Sequence, residues 1–192
     1  IIKVVQRKEV TIMLIQFSFR NFSSFRDEVT LDLSAAKMTE FSDRVVSVGG
    51  EKILPVAAIY GANASGKSNV YKAFSYMSDY VINSFKYGDE DDKLEDNAPT
   101  PFLFDSTSIH EDSSFEIYFT LPHDRSQRIY HYGFCINKEG ITEEWLNSKA
   151  KTAREFSIIF YRGLNNEELD LSGFPKNERE IIKVAFDQHV LV

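Results

Sequence analysis

Gly61-Ala-Asn-Ala-Ser-Gly-Lys-Ser68 matches G-x-x-x-x-G-K-[ST], the pattern of a phosphate-binding loop, at every fixed position. Gly61 and Gly66 let the backbone turn so that successive amides, those of Ala62, Asn63, Ala64 and Ser65 among them, form an anion-binding nest. Lys67 is placed to reach the β- and γ-oxygens of a nucleotide and is the candidate catalytic residue. The Ser68 hydroxyl is a hard oxygen ligand of the kind Mg²⁺ prefers. Asn69 follows directly and is counted with the loop, although its position suits support of the first helical turn better than contact with ligand. Such a loop needs a buried strand before it and a helix after it. Val56-Ala-Ala-Ile-Tyr60 is a short apolar run that predicts an interior strand ending on Gly61. Val70, Phe74, Met77, Val81 and Phe85 recur at helical spacing, and neither Pro nor Gly interrupts 67–87. The spacing predicts a helix there with those five residues on its buried face. A strand, loop and helix in this order predict a site for ATP and Mg²⁺.

On the N-terminal side, Ile1 to Ile12 lacks Met at its start and mixes charges into its apolar residues, so it reads as a leader or extension before a first element opening at Met13. Leu14 to Arg20 alternates, as do Val29, Leu31 and Leu33, which predicts two strands joined through 21–27. Residues 44–48 and 52–54 flank Gly49-Gly50 and predict a hairpin. On the C-terminal side, the acidic segment 88–98 reads as a solvated connection. Period-two alternation then returns through Phe115-Ile117-Phe119, Tyr130-Tyr132-Phe134-Ile136, Ile141 to Leu146 and Phe156-Ile158-Phe160, with turns at Pro122-His-Asp-Arg125 and Asn137 to Gly140. This order predicts an antiparallel meander. A last helix is expected around Ile182 to His189, after Pro175.

The composition narrows the function classes. The formal charge is −7, of which Asp89 to Asp96 alone supplies −5, so bulk charge gives no nucleic-acid footprint. A single cysteine, Cys135, cannot form an internal disulfide, as befits a reducing cytoplasm. The four histidines are scattered, without zinc spacing, and no apolar run approaches membrane-helix length, so no membrane partner is expected. Asn137-Lys-Glu-Gly140 has Gly where a guanine-reading carboxylate belongs, which argues against a GTPase. A small-molecule kinase would need an arginine-rich lid, and Arg125, Arg128, Arg154 and Arg162 fall on separate turns and strands. Glu143 and Glu144 are adjacent in a strand and point to opposite faces, against a paired-carboxylate site. No apolar run ends in Asp or Asp-Glu to complete the magnesium site. Asp105, after Phe102-Leu-Phe, is the nearest candidate and reads more simply as a turn or cap residue.

A first strand, Asn21-Phe-Ser-Ser-Phe25, an antiparallel portion and Ile59-Tyr-Gly-Ala-Asn-Ala-Ser-Gly-Lys-Ser-Asn69 together resemble the amino-terminal lobe of ABC-type ATPase heads, those of structural-maintenance-of-chromosomes and recombination-repair proteins. Pro101-Phe-Leu-Phe104, Phe115 to Phe119, Tyr130 to Phe134 and Glu144-Trp-Leu146 make the chain similar, more closely, to prokaryotic AAA ATPases related to OLD and abortive-infection (phage-defence) proteins. The resemblance implies an α/β P-loop NTPase fold, with 13–192 as the N-terminal lobe of one head whose C-terminal lobe lies elsewhere; the apolar finish at His189 to Val192 fits that expectation. It also implies a head-to-head homodimer that closes on ATP, with the turn of Asn21, Phe22, Ser23, Ser24 and Phe25 beside adenine and ribose; the alternative is that Phe22 and Phe25 are core anchors of a hairpin. A nuclease or toxin partner enters by the same family analogy, and so does a role on DNA. The Q-loop, signature, Walker B and switch residues of such heads have no match here. Two functional classes follow: an ATPase motor or switch, or a nucleotide-gated module that holds a partner.

Overall fold

Alternation of apolar and polar residues in the segments named above produces a sheet with two unlike faces. A computed structural model describes residues 13–36, 42–48, 50–84, 97–121, 127–163 and 168–186. In chain order the elements are β1 (Met13–Arg20), β2 (Val29–Asp32), β3 (Val46–Val48), β4 (Glu51–Ile53) and α1 (Lys67–Asn83). They are followed by β5 (Ser113–Thr120), β6 (Ile129–Asn137), β7 (Gly140–Lys149), β8 (Ser157–Arg162), β9 (Leu169–Asp170) and α2 (Arg179–Phe186). Seven strands form one sheet in the order β2-β1-β5-β6-β7-β8-β9, every neighbour antiparallel, while β3 and β4 pair separately as the expected hairpin. The fold is α/β, with few helices on a largely antiparallel sheet. The expected leader at 1–12, the residues Gly49 and Phe85, the acidic segment through 96, the turn at Pro122 to Arg125 and the apolar finish at 189–192 all lie outside the described residues.

One face of the sheet carries the core, and α1 lies across it. Phe17, Phe19, Phe115, Tyr132, Phe134 and Phe160 meet Ala73, Met77 and Tyr80 of the helix. The packing is largely aromatic: Tyr76 lies 5.1 Å from Phe115, Tyr80 5.6 Å from Phe134, and Phe74 meets Phe17 edge-on at 5.2 Å. Edge-to-face and tilted pairs of this kind add about 0.5–1.5 kcal/mol each beyond area burial. The helical stripe differs from the expected one. Val70 and Met77 pack against the core and Phe74 touches Phe17 from the flank while 38% exposed, but Val81 is exposed, and Ala73, Tyr76 and Tyr80 join the contact with the sheet.

The other departure is the segment before the loop. Val56 to Tyr60 runs without helical or strand assignment and pairs with no strand among the described residues. Val56 is 78% exposed and Tyr60 89%. The predicted interior strand is therefore absent from this sheet, because its apolar side chains have no neighbouring layer to enter. No helix among the described residues is long and apolar enough to cross a membrane.

A buried charge pair crosses the core side of β7 and β8. Arg162 Nε lies 2.9 Å from Glu144 Oε2, with the two side chains 5% and 0% exposed, and Tyr132 Oη–H donates to Glu144 Oε1 at 2.9 Å. Burial, with the nearby Glu144 carboxylate second, pushes the Tyr132 phenol well above its ordinary range, so it remains a donor. On the opposite face, burial raises the Cys135 thiol from its ordinary 9.0 to about 12.

Two outcomes follow from these placements. Arg162→Met leaves the Glu144 carboxylate buried without its cation, and urea unfolding should show a loss of about 3–5 kcal/mol, since a charge stranded in the interior costs that much. Cys135 should alkylate at pH 8 at least about tenfold more slowly in the native chain than in urea, because the thiolate is the nucleophile. The neutral thiol is favoured by folding, so its contribution is intact below 9.0 and declines as pH rises from there toward 12.

Candidate nucleotide site

The loop reaches its shape through two left-handed residues. Ala64 has φ 63° and Gly66 φ 89°, and between them the chain turns back before α1 starts at Lys67. Ser65 N–H donates to Ala62 O at 3.3 Å, and Asn69 N–H donates to Gly66 O at 2.8 Å, closing the first helical turn. Gly66 occupies the cap position of α1 without any side-chain cap. The amides of Gly66, Lys67 and Ser68 have no backbone acceptor among the described residues. Uncapped amides at a helix start are the donors that an anionic ligand satisfies, and the helix dipole adds to the attraction. Lys67 Nζ donates to Gly61 O at 2.8 Å and to Ala62 O, with Ser65 Oγ at 3.5 Å, so the ammonium spans the entrance to the loop. Ser68 is exposed at the second helical position, and Asn63 is exposed at the crest of the loop. The donor set fits a polyphosphate, and the Ser68 hydroxyl fits one position in a magnesium shell.

The turn after β1 forms the wall of this loop. Asn69 Nδ2–H donates to Ser24 Oγ at 2.8 Å. A Cβ at position 66 would lie 2.7 Å from Phe25 Cζ and 3.3 Å from Ser24 Oγ, so the turn and the loop are in contact. Phe22 and Phe25 exchange backbone hydrogen bonds of 2.9 and 3.0 Å, which pinch Ser23 and Ser24 into the tip. Ser23, with φ 54°, donates its N–H to Thr100 O at 2.8 Å. Ser24 is thus at the loop and Ser23 beside it.

Asn21 sits differently from the expectation that the turn faces the nucleotide, and Phe22 takes the core-anchor role that was the alternative for it. Asn21 is 1% exposed, and its side chain is spent on backbone: Nδ2–H donates to Ser108 O and Glu111 O at 2.8 and 2.9 Å, while Oδ1 accepts from Phe102 N–H at 3.0 Å. Phe22 is buried against Phe19, Tyr76 and Phe115. Both position the turn from within the core. Asp105 accepts from Thr107 N–H at 3.1 Å and Ser108 Oγ–H at 2.9 Å, and these hydrogen bonds hold its carboxyl below the usual range. It caps a turn, and among the described residues no cluster of three or more His, Cys, Asp or Glu could hold a metal ion.

Comparison with known families gives one result. Residues 56–189 match the family described as "AAA domain, putative AbiEii toxin, Type IV TA system". The chain belongs to that family. No curated protein and no solved structure gave a match. Membership in the AAA family makes the chain a P-loop, nucleotide-binding ATPase-like protein, in agreement with the geometry of 61–69. Phe25 packs against the core, as the hairpin-anchor reading of it expects, and its ring also meets the loop at Gly66.

Gly66→Ala places a methyl group against Phe25 at a left-handed backbone position. Thermal or urea unfolding should register a loss of about 1–3 kcal/mol, the usual cost of such strain; an unchanged midpoint would mean that the turn yields freely.

Proposed function

We propose that this AAA-family chain binds ATP with Mg²⁺ through Gly61 to Asn69 and forms one lobe of an ABC-type head that hydrolyses ATP when a second lobe and a second head complete it. The observation that carries the reading is the convergence of the left-handed turns at Ala64 and Gly66, the uncapped amides at the start of α1 and the Lys67 ammonium at one point. In this reading the amides and Lys67 bind and orient the phosphates, and binding requires Lys67 Nζ to shift toward them from the Gly61 and Ala62 carbonyls. Ser68 is the residue that would hold Mg²⁺, which supplies neutralisation of charge on the phosphate oxygens. Ser23 and Ser24, at the adjoining tip, are the proposed contacts to ribose or base; Asn21 and Phe22 act by fixing that tip.

The second lobe is part of the proposal because of Val56 to Tyr60. Five consecutive apolar residues, exposed and outside any strand, suit a strand buried on both sides, as in a parallel sheet. Strands pairing along this segment would bury it and fix the entrance to the phosphate loop. Head-to-head dimerisation, a nuclease or toxin partner, action in phage defence or on DNA, and a cytoplasmic setting belong to the same reading by family analogy.

The decisive measurement is ATP affinity in Mg²⁺ by calorimetry. Lys67→Ala should weaken triphosphate binding at least about tenfold, or about 1.4 kcal/mol, and should leave the fold intact because Lys67 lies outside the core. Equal affinities for the two proteins would overturn the assignment.

A further inference from the structure

Asn69 is the third residue of α1, and its backbone is already engaged: its N–H donates to Gly66 O at 2.8 Å and closes the first helical turn. Side chains on a helix lean toward its N-terminus, so the Asn69 amide leans back toward the loop. There its Nδ2–H donates to Ser24 Oγ at 2.8 Å, across 45 positions of sequence. The same hydroxyl oxygen lies 3.3 Å from where a Cβ on Gly66 would stand. It therefore sits beside the point at which the uncapped amides of Gly66, Lys67 and Ser68 begin.

The backbone around Ser24 is fixed from several sides. Phe22 and Phe25 exchange their backbone hydrogen bonds, Ser23 N–H donates to Thr100 O at 2.8 Å, and the Phe25 ring abuts Gly66. What this framework leaves free is the side-chain rotor of Ser24, which is exposed. An unclamped serine divides among three staggered rotamers, and the bond from Asn69 holds one of them. The polarity of that bond matters too. A hydroxyl that accepts an amide proton keeps its own proton to donate elsewhere. Ser24 Oγ–H is thus a donor held in place at the edge of the phosphate loop.

Position decides what such a donor reads. Lys67 Nζ, the group suited to the β- and γ-oxygens, is at the entry of the loop, on the carbonyls of Gly61 and Ala62. Ser24 is at its exit, against Gly66 and Asn69. A triphosphate whose terminal end faces the ammonium delivers its nucleoside to the exit, where ribose oxygens can accept a hydrogen bond. We infer that Asn69 is a positioning residue that acts through Ser24: it orients Ser24 Oγ–H toward a ribose oxygen, so that this corner distinguishes a nucleoside triphosphate from a bare polyphosphate. The inference rests on the nucleotide reading of Gly61 to Asn69, and it gives Asn69 a role in recognition without contact to the ligand.

The test is a double-mutant cycle read by calorimetry in Mg²⁺ with two probes, ATP and inorganic triphosphate. Ser24→Ala should weaken ATP binding about three- to tenfold, the net worth of one hydrogen bond. Asn69→Ala should weaken it about threefold, because the freed rotor spends about a third of its time in the productive well. Once Ser24 is replaced, Asn69→Ala should have no further effect, and neither substitution should change the affinity for inorganic triphosphate. A merely structural role for Asn69 would weaken both probes and persist in the Ser24→Ala background. Equal losses for the two probes, additive losses in the cycle, or an unchanged ATP affinity in Asn69→Ala would each overturn the inference. Lys67→Ala separates that failure from failure of the site itself. If it weakens both probes while the Asn69 cycle is flat, only the role of Asn69 falls; if it weakens neither, the phosphate site falls with it.

Discussion

Asn21 joins three parts of the chain that lie far apart in sequence. Its backbone has φ 53°, which turns the end of β1 into the pinched tip at Phe22 to Phe25, and Ser113 Oγ–H donates to its carbonyl at 2.6 Å. Its side-chain amide serves the segment at Phe102 and the carbonyls at Ser108 and Glu111. A buried amide in such a network is worth more than its pairwise bonds suggest, because each group left without a partner would carry its full desolvation cost. The tip that this network fixes is the surface on which the phosphate loop rests, through Ser24 with Asn69 and Phe25 with Gly66. Loop geometry therefore rests on a polar clasp in the sheet core as well as on its own glycines.

The sheet separates two chemistries. On the α1 side, Tyr76 packs on Phe115 and Tyr80 on Phe134, and the polar groups there include the ion pair of Glu144 and Arg162, with Tyr132 donating to Glu144. A charge pair this deep adds little net stability, but either half alone would be costly, so it ties β7 and β8 to one arrangement. On the far side the strands present Glu116, Tyr118, His131, Cys135 and Trp145, and Gly133 makes room for the indole.

The phosphate loop is anchored asymmetrically. On its C-terminal side α1 is tied to the sheet by aromatic packing, and the wall at Ser24 and Phe25 holds Gly66 and Asn69. On its N-terminal side the chain leaves the β3–β4 hairpin through Leu54, whose N–H donates to Leu33 O at 2.8 Å, and then runs exposed to Tyr60. The half made of the amides at the start of α1 is formed; the half that a flanking strand would brace rests on Lys67 and the carbonyls of Gly61 and Ala62.

The sequence by itself determined what depends on local chemistry. The spacing of Gly61, Gly66, Lys67 and Ser68 identified the loop, alternation from Phe115 to Phe160 identified the meander, and Gly50 with its neighbours marked the hairpin. These are readable because a turn, a pleat or a helical start is set by residues within a few positions of each other. Tertiary structure decided what depends on who the neighbours are. Helical spacing shows that α1 has an apolar side but not which rings the sheet will accept, so Tyr76 and Tyr80 join the core while Val81 stays exposed and Phe74 only flanks it. An apolar run predicts burial only if another layer exists, and Val56 to Tyr60 finds none among the described residues. Asn21 was expected beside the nucleotide through the family resemblance, in which that turn flanks the ligand. Only the approach of residues 102 and 108–112, some eighty to ninety positions later, turned it into the clasp of the core.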